Sequence, residues 1–147
     1  MLVPETHGGL GLGYIEAGIL MEELGHTLTP SPFFSTAVVA ATAIAHGGSD
    51  TQKDAYLPKI AAADLIATLA VDETPKHRPE RAALSATRSG SVFALSGNKR
   101  FVVDGQVADL LIVAARTSGA PGETGGIIVR YRSEEQRPAS GAHHRGG

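Results

Sequence analysis

The stretch "GSDTQKDAYLPKIAAADLIATLAVDE", residues 48–73, changes its structural signal midway. It opens on Ser49 with Gln52 three residues on, a capping-box pattern that starts a helix. That pattern predicts a short helix over about Thr51–Leu57, halted at Pro58, with one further turn across "PKIAAAD". It closes on "LIATLAV", Leu65–Val71, a continuous apolar run that reads as a buried strand. The chain therefore divides near Asp64, with helices before it and strands after it.

Upstream, the helical signal is periodic. From Tyr14 to His26, the residues Tyr14, Ala17, Gly18, Met21, Leu24 and Gly25 recur at three- and four-residue spacing, and Ile15 and Ile19 extend that face. Glu22 and Glu23 lie on the outer side, and the "TLTPSP" run stops the helix. A second helix is predicted over Thr36–His46, apolar nearly all round and so suited to burial between other elements. Downstream, "SVFALSGNKRFVVDG" (Ser91–Gly105) predicts two short strands around Ser96-Gly97. "DLLIVAAR" (Asp109–Arg116) reads as a central strand and "GGIIVR" (Gly125–Arg130) as another. Short consecutive strands with turn signals and no helix between them predict an antiparallel sheet or barrel. The fold class is α+β: a helical unit over residues 1–63, a partial antiparallel β-domain over 64–130, and a disordered tail over 131–147.

The tail rests on composition. "RYRSEEQRPASGAHHRGG" carries four arginines and two glutamates, whereas residues 1–129 hold nine basic and thirteen acidic side chains. Arg, Gly, Ser and Pro bury too little apolar area to offset the entropy of ordering. Over the whole chain, 147 residues at 42% hydrophobic and 19% charged suit a packed core, and a net charge of −2 leaves no footprint for nucleic acid. The absence of cysteine excludes disulfides, thiolate metal sites and cysteine nucleophiles. No apolar run reaches the 18 or so residues a membrane span requires, and "MLVPETHGG" lacks the pattern of a signal peptide, so a cytoplasmic location is expected. The six histidines are scattered, with no metal-ligand spacing, and Ser35, Ser85 and Ser96 have no nucleophile-elbow context.

The glycine run "GGLGLG", residues 8–13, raises the question of a phosphate loop. A dinucleotide fingerprint needs a preceding strand and a third glycine where Tyr14 stands, and a P-loop needs Lys and Ser or Thr after its last glycine. Neither fits, so the run is expected to be a tight loop entering the helix at Tyr14, its glycines allowing positive φ.

Taken together, three segments resemble the acyl-CoA dehydrogenase family. "VPETHGGLGLGYIEAGILMEELG" looks like its P-E-x-x-G-G-x-G loop and the helix ending E-E-L-G. "GSDTQKDAYLPKIAAADLIATLAVDE" resembles its G-[ST]-x-x-Q-K-x-x-x-L-P-x-[LI]-A-x-G-[DE] stretch, and "LSGNKRFVVDGQVADLLIVAART" its L-x-G-x-K-x-[WF]-[IV] and A-R-T segments. The likeness runs in order from Val3 to Thr117.

The resemblance implies a part of the helical N-terminal domain joined to the start of the middle β-domain. It implies noncovalent FAD and α,β-dehydrogenation of an acyl-CoA thioester in lipid catabolism, by a homo- or hetero-oligomeric parent enzyme. Two segments would line the flavin: Ala70–Thr74, in the place of A-x-T-E-P, and Lys99–Val103, in the place of K-x-W-I-T. The candidate cofactor-binding residues are Leu69, Val71, Asp72, Phe101 and Val103. Asp72 stands where a hydroxyl residue is usual, and a carboxylate accepts hydrogen bonds but donates none unless protonated. Phe101 keeps an aromatic face without the indole donor, and Val103 lacks the threonine hydroxyl. Read without the resemblance, Asp72-Glu73 is an acidic turn, Phe101 a core side chain and Lys99-Arg100 a solvated strand end.

The family's catalytic glutamate belongs to its C-terminal helical region. No glutamate here matches that motif, so no catalytic residue is assigned and the chain is expected to be inactive alone. The switch after "TGGI" to an Arg/Gly/Ser/His-rich sequence looks like a shifted reading frame near residues 126–130. Two other expectations are a noncatalytic paralogue acting as an interaction subunit, and a flavin-dependent oxidase or monooxygenase on the same fold.

Overall fold

The computed structural model describes residues 2–123 and 127–133. A 3₁₀ turn, Glu5–His7, leads through the glycine run into α1, Tyr14–His26. A π-helical stretch, Phe34–Ala40, runs directly into α2, Ala41–Gly47, and α3 follows at Asp50–Ala61. The strands are β1 (Ala67–Ala70), β2 (Ser85–Ser89), β3 (Val92–Ser96), β4 (Leu110–Arg116) and β5 (Ile127–Ser133). The described helices of the α+β fold end at Ala61 and its strands begin at Ala67, apart from a 3₁₀ turn at Pro79–Arg81. Among the described residues no helix is long and apolar enough to cross a membrane.

The glycine run is a structural loop, as expected. Gly8 caps the 3₁₀ turn at φ +77°, and a Cβ at Gly9 would fall on the Val3 carbonyl, so the chain passes too close there for any other residue. The Gly11 N–H donates to the same Val3 carbonyl at 3.0 Å, and Gly13 starts α1 with its N–H donating to Glu16 Oε2 at 2.8 Å. α1 has the predicted limits but not the predicted burial. Ala17 is its buried residue, while Ile15 is 78% and Ile19 59% exposed. The helix rests on its neighbour through a narrow contact that includes Tyr14 Oη to Thr42 Oγ1 at 3.1 Å.

α3 starts at the predicted Ser49 cap, where Ser49 Oγ accepts from the Gln52 N–H and Gln52 Oε1 from the Ser49 N–H. The further turn expected across "PKIAAAD" is present, joined to the helix without a halt at Pro58, so that α3 runs to Ala61. Proline removes one helical hydrogen bond. Ile60, in the turn beyond Pro58, is buried in the same core as Leu57 before it, and this burial favours the extra turn.

The sheet is mixed. β1 and β4 pair in parallel, Ala67 opposite Leu110 through Ala70 opposite Val113. β2–β3 and β4–β5 are antiparallel, as expected for the domain as a whole. Hydrophobic period gives no strand direction, and the long excursion between β1 and β4 returns the chain in the parallel sense. Arg116 pairs with both Ile127 of β5 and Ser85 of β2, so β2 takes up the edge of β4 that β1 leaves. The β2–β3 hairpin turns at Gly90, not at Ser96-Gly97, and residues 99–107 are irregular chain followed by a turn over 103–107 instead of a strand. β5 runs to Ser133, past the point where the tail was expected to begin; the tail reading over 134–147 lies outside the described residues.

β4 is central and faces two cores. Leu110 and Ile112 join Ile44, Leu57, Ile60 and Ala67 in the core beneath the helices. Val113 and Ala115 join Ala70, Leu84 and Ala86 on the other face. This alternation is the period-two rule applied to a strand buried on both sides. The helices are tied to the sheet by Thr36, whose Oγ1 donates to the Ala67 carbonyl at 3.0 Å and accepts from the Ala67 N–H at 3.1 Å.

Candidate functional site

Where β1 ends, Val71–Glu73 turns a corner, and residues 99–104 lie against it. Two consecutive carbonyls of the corner are held from that segment. Lys99 Nζ donates to the Val71 carbonyl at 2.9 Å, and the Arg100 N–H to the Asp72 carbonyl at 2.8 Å. The 99–104 segment is anchored in turn at its far end. Thr68 Oγ1 donates to the Val103 carbonyl at 2.7 Å, and Ser35 Oγ to Asp104 Oδ2 at 2.6 Å. Helical stretch, strand and turn therefore converge on one place.

Four non-glycine residues among those described have left-handed backbone, and two, Phe101 (φ +53°) and Asp104 (φ +55°), lie in this segment. Such a conformation costs about 1–3 kcal/mol in a bulky residue. Here it turns an aromatic ring outward: Phe101 is 70% exposed and Val103 51%. The core placement that a strand position would give Phe101 is overturned, because the residue lies outside any strand on left-handed backbone with its side chain exposed. Lys99 is likewise no solvated strand end. It lies in irregular chain after β3, with its side chain 7% exposed.

Of the five residues assigned from sequence, Val71, Asp72, Phe101 and Val103 are brought to this corner. Leu69 is not; it lies within β1 and packs against the helix-side core. Asp72 accepts from, or pairs with, His77, Oδ1 to Nδ1 at 2.9 Å. Glu73 is fully engaged. Its Oε1 accepts from Lys99 Nζ at 2.7 Å and the Leu84 N–H at 2.9 Å, and its Oε2 from the Ala83 N–H at 2.9 Å. Burial pushes the Glu73 carboxyl up, but the Lys99 hydrogen bond, the two N–H donors and the lysine charge outweigh it and hold the group below its ordinary range. An acid so held is a structural anion and a poor proton acceptor.

Behind the corner is a cavity of about 410 Å³ lined by Ala70, Leu84, Leu95, Lys99, Val102 and Val113. It lies on the face of the sheet away from the helices, and neither Phe101 nor Val103 lines it. Sequence reasoning missed Thr68 and Ser35 as parts of this corner, and it placed Glu73 in the Ala70–Thr74 segment without a role. The K-x-[WF] spacing at Lys99 was the one signal that pointed to a lysine with a fixed place.

The family description "Acyl-CoA dehydrogenase, N-terminal domain" matches residues 1–64. The mitochondrial isovaleryl-CoA dehydrogenase of Pongo abelii is 32% identical over 139 residues, covering 92% of this chain and 33% of that protein. The acyl-CoA dehydrogenase structure from Geobacillus kaustophilus superposes with a TM-score of 0.76 at 26% identity, over 91% of this chain and 36% of that one. The ChsE4–ChsE5 complex of Mycobacterium tuberculosis gives 0.74 at 30% identity, over 90% and 34%. The chain thus spans about a third of the length of the curated relatives it matches.

Proposed function

The chain belongs to the acyl-CoA dehydrogenase family, and from that premise we propose that it supplies one wall of an FAD site in an acyl-CoA dehydrogenase. The observation that carries this reading is Phe101. An aromatic ring held outward on a strained backbone, beside an exposed valine and a polar corner, suits a flat ligand with apolar faces and a hydrogen-bonding edge. The donor set fits a flavin in part: Phe101 and Val103 offer apolar contact, and Asp72 offers an acceptor for a ring N–H.

FAD, when bound, supplies the acceptor for a hydride leaving Cβ of an acyl-CoA thioester. The chain's own part is positional. Phe101 and Val103 would exclude water from one side of the ring, and Asp72 would orient its edge once released from His77. Glu73, held as an anion by Lys99 and two N–H groups, is a poor base for the Cα proton, and no glutamate of this chain matches the motif that carries the family's base. Dehydrogenation by the chain alone is therefore not expected. The exposed face of α1 favours a second reading, in which the chain works as a subunit docked on a partner.

The test is a titration of the full chain with FAD, followed by flavin fluorescence. Saturable quenching is expected, together with no acyl-CoA-dependent dye reduction. Phe101→Gly should weaken binding about tenfold, since stacking on an aromatic side chain is worth about 1–3 kcal/mol. It should leave stability unchanged or raise it by up to about 1.5 kcal/mol, because relief of the left-handed backbone, about 1–2 kcal/mol, equals or exceeds glycine's extra chain entropy of about 0.5–1 kcal/mol. Absence of quenching, or quenching indifferent to Phe101, overturns the reading.

A further inference from the structure

We propose that Lys99 and Glu73 are positioning residues for this corner: the buried pair sets the direction of the Val71–Asp72 backbone, and through it where Asp72 stands relative to Phe101. Their significance for a flavin rests on the function proposed above; their effect on the backbone does not.

The geometry is of a clamp with two jaws. On one side, the Lys99 ammonium holds the Val71 carbonyl and the Arg100 N–H holds the next carbonyl, that of Asp72. With two consecutive peptide planes tied to one segment, neither can rotate without breaking a bond to it. Phe101 is the next residue of that same segment. On the other side, Glu73 takes the N–H groups of Ala83 and Leu84 on both carboxylate oxygens. That second segment is held from behind by Arg116, whose Nε donates to the Ala82 carbonyl at 2.7 Å and Nη2 to the Glu80 carbonyl at 3.0 Å. The Lys99–Glu73 contact, 2.7 Å with the side chains 7% and 17% exposed, joins the jaws.

Stability alone does not account for the pair. Well-packed apolar side chains of the same size commonly hold such a place as firmly as a buried ion pair does. What apolar contacts do not supply is direction. A charged N–H donor to a carbonyl fixes where that carbonyl points, and the carbonyl fixed here immediately precedes Asp72.

Three variants of the full chain test this: Lys99→Met, which keeps the length and removes the charge; Glu73→Gln, which keeps the shape; and Lys99→Arg as the conservative replacement. The readouts are residue-resolved amide hydrogen exchange and the affinity for FAD. In Lys99→Met and Glu73→Gln, exchange at Arg100, Ala83 and Leu84, whose N–H groups donate to Asp72 and Glu73, should quicken about tenfold while Ile112 and Val113 in β4 keep the wild-type rate. FAD affinity should fall about tenfold, with partial recovery of both readouts in Lys99→Arg. Should Lys99→Met not fold, Glu73→Gln decides alone. Exchange that rises equally across β4, or nowhere, overturns the proposal, as does local loosening with FAD affinity unmoved. If the wild-type chain takes up no FAD, the flavin reading fails by itself, and the local pattern of exchange still decides for or against the clamp.

Discussion

At Glu73, burial and hydrogen bonding oppose each other, and the outcome has a pH signature. Loss of water raises the carboxyl's proton affinity, but Lys99 and the N–H groups of Leu84 and Ala83 reward the charged form more. The folded-state pKa therefore lies below the ordinary value of 4.5. A group depressed on folding contributes stability that is present above its unfolded pKa and lost as pH falls through its folded one. Urea unfolding of wild type and Glu73→Gln should thus differ most above about pH 5, with the gap closing as pH falls below 4.5. A gap that widens in acid would mean that the pair is not ionised as described. None of this is visible in the letters "VDE" and "GNKR". The sequence places an acid and a base 26 residues apart, and only the fold buries them together.

At the scale of elements, what sequence reveals depends on whether the signal is local. The limits of α1 and the cap of α3 were legible because a glycine break and a Ser-x-x-Gln box act within one turn. The course of α3 through Pro58 was not, since it depends on Leu57 and Ile60 reaching a core built by residues far along the chain. The parallel register of β1 on β4 was likewise hidden, and so was the left-handed backbone at Phe101, which no residue-type preference announces. The candidate site was legible as two segments and illegible as a geometry. Its support from the helices comes through Thr36, which serves both polar groups of Ala67. Thr36→Val keeps the volume and strips both bonds, leaving a buried N–H and carbonyl of β1 without that partner. The expected loss is about 1–3 kcal/mol, read as a lower urea midpoint at unchanged slope. A loss under about 0.5 kcal/mol would show that β1 is held by β4 alone.

For the whole molecule, the deciding feature is the mismatch between sequence pattern and burial in α1. A helix with apolar residues at Tyr14, Ile15, Ile19 and Met21 is written to be covered on that face, yet the described elements cover Ala17 and little else. Contiguous apolar surface of this kind drives association in water. The chain should therefore self-associate, with a mass by light scattering that rises with concentration. Ile15→Glu with Ile19→Lys addresses this face directly. The two positions are 78% and 59% exposed, so the exchange opens no cavity. Glu before Lys at a spacing of four residues also suits both side-chain pairing and the helix dipole. The double variant should stay nearer the monomer mass with its helix content intact and its stability within about 0.5 kcal/mol of wild type. If association persists unchanged in that variant, α1 is not its seat, and the edge of β3, which ends the strand path β1-β4-β2-β3 among the described residues, is the next surface to alter. If association and helix content fall together, the face is needed to keep α1 folded, and the apolar pattern serves the helix before it serves any partner.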